Sequence, residues 1–368
     1  MRITAAVFDA RHDPFRVEEI DIDEPGPGEV LVTVAATGIC HTDGLANHGD
    51  LPFPAPGVLG HEGAGVVAAV GEGVSSVRAG DHVVLGWPWC GRCRNCLAGE
   101  PRYCAHLADL LIGGGRPGGG PSALRRLDGS PLHSHFFGQS SFATHALADA
   151  RSLVPVDAGM PIELLGPLAC GLSTGAGAVL NTLRPEPGAS LAVYGVGSVG
   201  LAAIMAARNT GATTIIAVDR HSSRLALAVE LGATHTIDAT STDPVEAITE
   251  ICDGPADYAL ECTGVISVVE QAADSVGMLG TCALVGGAPA EARFSLDHLR
   301  ALWGKRIIGI LGGSGRSVPL ITTLIDLYRQ GRFPFDRLVS WFELDQLNEA
   351  LAASYAGDVI KPVIRMPR

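Results

Sequence analysis

Aromatic side chains are scarce, at 5% of the chain, so cores of Val, Ile, Leu and Ala must fill its interior. Positive charge is also short: 26 Lys and Arg stand against 39 Asp and Glu, a net charge of −13. A surface of that sign repels phosphate, which argues against a nucleic-acid partner and leaves a small molecule as the expected ligand. No leader-like stretch follows Met1-Arg2. The nine cysteines are odd in number and spaced as thiolate ligands, so a reducing compartment, the cytoplasm, is expected rather than a disulfide framework. No internal repeat or sustained low-complexity tract is present, and the glycine-rich run 113–120 is short enough for a surface loop. Charge is missing altogether from 189–207, about the length of a membrane span. Gly and Ser interrupt that run in a pattern with a better explanation, so no membrane partner is expected. At 368 residues the chain is long enough for two cored domains.

Against these absences stand the cysteines. Cys90, Cys93, Cys96 and Cys104 follow C-x2-C-x2-C-x7-C spacing, and four thiolates from one short lobe can close a tetrahedral shell as a structural zinc site. Cys40, His61 and Cys170 form a second, scattered set of soft ligands. Three protein ligands leave a fourth position for an exchangeable water, which is how catalytic zinc is held. Two zinc ions per chain are expected.

The uncharged run resolves into an apolar strand, Ser190 to Tyr194, the turn Gly195-Val-Gly197-Ser198-Val199-Gly200, and an Ala-rich helix from Leu201 to Arg208. Gly195 permits the tight turn, Gly197 the approach of a pyrophosphate, and Gly200 close packing of helix on strand. Asp219 ends a second apolar strand, 214–218, where a carboxylate accepts ribose hydroxyls and repels a 2′-phosphate. NAD is therefore expected over NADP, tempered by the neighbouring Arg220. Residues 257–261, 281–285 and 306–311 read as further strands, with 223–231 and 265–275 as helices between them, so a parallel sheet covered on both faces is expected. Before about residue 160 Gly and Pro punctuate short alternating segments with little helical periodicity, which reads as a mainly β domain. The segment from Val318, through a helix at 320–330 to a strand at 359–365, is expected to rejoin it.

Five motifs, Cys40-His41-Thr42-Asp43, Gly60-His61-Glu62-Gly-Ala-Gly65, the four-cysteine lobe, Gly166-Pro-Leu-Ala-Cys170 with Thr174, and the glycine turn, stand in an order similar to that of the zinc-dependent medium-chain alcohol dehydrogenases. The segments 135–145 and 170–177 most resemble the aryl-alcohol (benzyl-alcohol) members. The resemblance implies a fold of class α/β, a Rossmann doubly wound parallel sheet for the cofactor plus a mainly β, GroES-like catalytic domain. The expected boundaries are 1–171 (zinc lobe about 86–106), 172–314 for the NAD domain and 315–368 for the return. It implies reversible oxidation of a primary alcohol, aryl, allylic or terpenoid, with hydride transfer to NAD. It also implies a homodimer or homotetramer, associated through 281–285 and 307–311.

Residue by residue, the resemblance implies that Cys40, His61 and Cys170 hold catalytic zinc and that Asp43 orients His61. Glu62 stands behind the metal, either as a paired carboxylate or in ligand exchange. Thr42 passes the substrate proton on, but Leu45 stands where relatives keep a relay histidine, which leaves water or His48 for the exit. His41 and Lys361 match pyrophosphate contacts, and Arg224 a cation near the adenosine ribose. Trp87, Phe136 and Phe137 match pocket positions, while Phe142 reads as core. The alternatives are glutathione-linked formaldehyde oxidation, against which Leu45 counts, and a non-catalytic NAD- or zinc-binding scaffold, which would need no open zinc position.

Overall fold

Every residue of the strand Ser190–Tyr194 is buried, a pattern a strand sustains only in a sheet covered on both faces. The computed structural model, which describes residues 1–289 and 291–367, places it at the centre of six strands. Their order is His235–Asp238, Thr214–Asp219, Ser190–Tyr194, Ala256–Glu261, Val276–Leu284 and Arg306–Gly309, all parallel. Counted along the chain this is 3-2-1-4-5-6, the doubly wound order, which places ligands at the carboxyl ends of the central strands. The uncharged run enters this unit as strand, turn and the helix Ser198–Ala207, buried from Gly200 onward. Among the described residues no helix is long and apolar enough to cross a membrane.

The sequence reading left out the strand His235–Asp238, in which only Ile237 is buried, so no alternation marks it. It also left out the helix Pro244–Cys252, although Asp243 caps its Val245 and Glu246 N–H groups and Pro244 occupies its first turn. The strand Val276–Leu284 starts five residues before the expected 281, across a register shift against Ala256–Glu261.

The other unit is mainly β. One sheet joins Gly57–Val58, Arg2–Phe8, Arg16–Ile22, Leu124–Arg126 and Pro131–Leu132. The second runs Leu153–Val156, His82–Leu85, Glu62–Val70, Glu29–Gly38, Lys361–Arg365 and Val339–Glu343, with His145–Asp149 also paired to Glu29–Gly38. Its registers position the metal-ligand residues. Gly38 lies opposite Glu62, and Val363 opposite Gly38, so Cys40, His61 and Lys361 leave the sheet at one end. The first unit comprises Met1–Cys170, Arg316–Thr323 and the chain from Asp336 onward; the second comprises Gly171–Gly315 and Leu324–Phe335. The helix Ser317–Arg329 thus contributes to both, where the sequence reading placed a single return at 315.

In the second unit, a Cβ on Gly175 would stand 1.9 Å from the Val199 carbonyl oxygen, a backbone atom that cannot move aside. Gly175→Ala should cost about 3 kcal/mol, the upper part of the range for overpacking. Denaturant unfolding checks this, and a midpoint equal to that of the parent would refute the close approach.

Candidate active site

Cys40 caps the helix His41–His48, which the reading of a mainly β amino-terminal half did not mark; its sequence carries Gly44 and no apolar periodicity. Asp43, in the first turn, is fully buried. Its Oδ2 accepts the Cys40 N–H at 2.8 Å, and its Oδ1 accepts Gly60 N–H at 3.1 Å and His61 Nδ1–H at 2.9 Å. One carboxylate therefore ties both ends of the ligand set and fixes the His61 tautomer, leaving Nε2 as the ligand atom. That Nε2 is buried and, among the described residues, has no hydrogen-bond partner.

Cys40, His61, Glu62 and Cys170 each offer a ligand atom, and these lie within 4.8 Å of one another. Two thiols and an orphaned imidazole nitrogen fit a zinc ion. The structure also brings a Glu62 oxygen within 4.8 Å of the other three ligand atoms. Hydrogen bonding with Cys170 outweighs burial and holds Cys40 well below the usual thiol range, whereas the same bond and burial push Cys170 well above it. Burial opposes charge on His61, but Asp43 outweighs it and raises the ring to about 10.

Lys361, expected against a pyrophosphate, is 2% exposed. Its Nζ donates to Ile39 O at 2.9 Å and to both Glu62 oxygens at 3.0–3.1 Å, which uses all three N–H donors. It is the buried partner of Glu62. Burial pushes Glu62 up to about 7 against the pull of this ammonium. A Cβ on Gly38 would lie 2.1 Å from Glu62 Oε2, so only glycine fits beside the carboxylate.

Thr42 Oγ1 lies 3.6 Å from Cys40 Sγ. His41 is exposed, its ring edge-on to Tyr355 at 5.9 Å. His48 is not brought to Thr42: it ends the same helix, about 9 Å further along the axis and on another face. There it stacks with His12 at 5.1 Å and Tyr355 at 5.9 Å, so a direct proton transfer between them does not fit.

Phe137 packs 4.4 Å from the His61 ring, Phe136 5.5 Å from it, and Trp87 4.9 Å from Phe137, so the three expected pocket aromatics form one wall beside the ligand. Phe142 lies wholly in the core. The backbone carrying the wall is strained: His135, Phe137 and Ser140 have φ of 61°, 50° and 54°. Gln139 holds it by donating to His61 O and Leu85 O and accepting from Gly63 N–H, each at 3.0 Å. Sequence reasoning missed Gln139, Tyr355 and Arg102. Arg102, buried between the third and fourth lobe cysteines and 4.8 Å over the Trp87 ring, carries no local sequence signal at all.

The four lobe sulfurs also gather within 4.8 Å. Backbone N–H groups of Cys93, Ala105 and His106 donate to Cys90, Cys93 and Cys104 Sγ at 3.3–3.4 Å, an arrangement that favours thiolates. Backbone donors, the Ala105 N–H first, draw Cys93 down to about 6, whereas burial drives Cys96 up to about 12.

In the second unit Gly195 has φ of +82°, and a Cβ on Gly200 would meet the Gly195 carbonyl at 2.2 Å. Gly197 is different. A Cβ there would meet only Arg224 Nη1, at 3.9 Å, so nothing in the chain demands glycine, which fits a cradle kept open for a phosphate. Ser198 and Val199 start the helix half-buried and reachable, and Thr174 lies in the helix Gly171–Gly177. Asp219 Oδ1 accepts from Arg220 N, His221 N and His221 Nδ1, and Oδ2 from Val196 N. Although burial opposes it, these donors lower its pKa. Three of these four donors fall on Oδ1, so Oδ2 is the oxygen with room to accept a ribose hydroxyl. Arg220 is exposed, and Arg224 Nε is buried with no partner among the described residues.

Profile comparison matches an alcohol dehydrogenase GroES-like domain to residues 26–158 and a zinc-binding dehydrogenase domain to 198–328. Geraniol dehydrogenase of Castellaniella defragrans is 42% identical over 365 residues, covering 98% of this chain and 96% of that protein. An alcohol dehydrogenase zinc-binding domain protein from Burkholderia ambifaria superimposes with a TM-score of 0.98 at 49% identity, over the whole of both chains. Benzyl alcohol dehydrogenase from Acinetobacter calcoaceticus does so at 0.96 and 43%, again over both chains.

The geometry sets two outcomes. At pH 8 the raised His61 and Cys170 carry protons that a metal must displace, while Cys40 does not. Zinc uptake should release protons, seen as calorimetric heat that varies with buffer ionisation enthalpy, with fewer released by His61→Ala; equal heats in all buffers would contradict the assignment. In the lobe, Cys93→Ser should lower the zinc content toward one per chain and reduce thermal stability. An unchanged zinc count would refute a four-cysteine site.

Proposed function

This chain belongs to the zinc-dependent medium-chain alcohol dehydrogenase family, and we propose that it oxidises a primary alcohol to the aldehyde with NAD, aryl, allylic or terpenoid alcohols being preferred. The observation that carries the reading is the buried Cys40, His61 and Cys170 set with its orphaned His61 Nε2. Zinc bound there would supply Lewis acidity to the alcohol oxygen, and NAD would take the hydride.

The chain's own residues do the remainder. Cys40, His61 and Cys170 hold the metal; Asp43 keeps the His61 proton on Nδ1 and fixes the backbone at Cys40. Glu62, paired with Lys361, offers an oxygen near the same three ligand atoms and would be available to a metal held there. Thr42 Oγ1 receives the substrate proton as it releases its own hydroxyl proton onward. Leu45 cannot carry it further and His48 lies on another face, so water is the carrier we assign. The Trp87, Phe136 and Phe137 wall favours a flat or unsaturated substrate over a short aliphatic one. Gly195, Gly197 and Gly200 cradle the pyrophosphate, and Asp219 selects NAD by repelling a 2′-phosphate. The edge strand Arg306–Gly309, near exposed Leu279 and Leu302, is where we place self-association.

Initial rates of reduced-cofactor formation should be greatest with benzyl alcohol or geraniol, low with ethanol, and higher with NAD than with NADP. Greatest turnover on the glutathione adduct of formaldehyde would transfer the assignment to that rival. Absence of turnover on all of them, by protein holding two zinc ions, would sink the reading. Gly197→Ala should weaken NAD binding ten-fold or more without lowering the unfolding midpoint, since no atom of the chain opposes the added carbon.

A further inference from the structure

A cavity of about 270 Å³ lies in the first unit, with Trp87, Arg102, Arg151 and Arg316 in its wall. No carboxylate lines it, in a chain where acidic residues outnumber basic ones 39 to 26. The remainder of its wall is largely apolar, Trp89 and Pro101 included.

Arg102 is 3% exposed. Its Nη2 donates to Ser317 Oγ at 3.1 Å, but its Nε and Nη1 have no hydrogen-bond partner among the described residues, and neither has the buried Nε1 of Trp87. An arginine cannot shed its charge, and a buried, half-satisfied guanidinium costs far more than an ordinary orphaned donor. Arg151, by contrast, is held by Asp149 and the Cys90 carbonyl. Arg102 has a flat apolar face at its side, since its guanidinium stands 4.8 Å over the Trp87 ring. The Trp87 ring leads to the metal-ligand residues through Phe137, at 4.9 Å from Trp87 and 4.4 Å from His61.

An anion would supply the missing acceptor and match the charge of Arg102, and the surroundings restrict its kind. A free phosphate needs polar partners all round, whereas most of the surface of this wall is apolar. The volume, below the roughly 300 Å³ of the smallest drug-sized pockets, suits a single ring. We propose that the cavity binds the carboxylate of an aromatic acid, its oxygens on the free N–H groups of Arg102 and Trp87 and its ring along the apolar wall. The carboxylate comes either from a free acid or from the far end of an acid-bearing aromatic alcohol; the second source rests on the alcohol dehydrogenase reading.

Calorimetric titration of zinc-replete protein with benzoate and with its neutral counterpart benzamide tests the site without turnover. Benzoate should bind at least ten-fold more tightly than benzamide, and Arg102→Met should remove that margin while Arg102→Lys keeps part of it. Equal affinity for the two probes in the parent protein, or benzoate binding unchanged in Arg102→Met, overturns the proposal. The comparison in the parent protein decides the matter even where Arg102→Met does not fold. A second arm compares kcat/KM for 4-(hydroxymethyl)benzoate and benzyl alcohol. A ratio in favour of the acid-bearing alcohol that falls ten-fold or more in Arg102→Met places the carboxylate on the substrate. A ratio indifferent to the substitution, with Arg102-dependent benzoate binding, identifies the free acid as the occupant. Failure of both alcohols to react would strike at the proposed oxidation and leave the titration as the judge of the cavity.

Discussion

The metal-ligand set depends on one carboxylate. Asp43, without any exposure to water, accepts from the Cys40 and Gly60 backbones and from the His61 ring. Cys40 follows the end of one strand and His61 precedes the start of its neighbour, so the sheet register brings their chains close but does not set their side chains. Asp43 does. Removing its carboxyl group would leave two backbone N–H groups and a ring N–H without acceptors in the interior, each a cost comparable to or larger than a net hydrogen bond. The short helix it stabilises from its first turn also places Thr42 beside Cys40.

The two clusters of soft ligands were legible in the sequence for different reasons. Cysteines with only two residues between them share a lobe whatever surrounds it, so spacing alone pointed to the four-cysteine group. The scattered trio was legible through its residue types and its resemblance to a known family, since no spacing rule joins positions 40, 61 and 170. The glycine turn was legible because strand, turn and helix each left a mark, and the central strand's unbroken burial followed from its unbroken apolar run.

What escaped the sequence depended on tertiary context. The helix His41–His48 has no apolar stripe, and its stability comes from Asp43 and burial rather than propensity. Lys361 looks like any cation near a carboxyl-terminal strand until the register of that strand against Glu29–Gly38 lays it on Glu62, 299 positions away. Arg102 sits in a lobe whose cysteines explain all its neighbours. The course of the chain between units, with the helix Ser317–Arg329 shared, was hidden because a continuous helix gives no composition change at 323.

Lys361 carries a consequence for how this molecule is made. The lobe cysteines span 90–104, so a ribosome can release a complete set of four thiolates while most of the chain is still to be translated. The other set cannot be finished that way. Its Glu62 emerges early but acquires the ammonium of Lys361 only when translation has passed the strand Lys361–Arg365. The four-thiolate lobe can thus be completed during synthesis, whereas the Cys40, His61 and Cys170 set receives its buried Lys361–Glu62 pair only at the end of it.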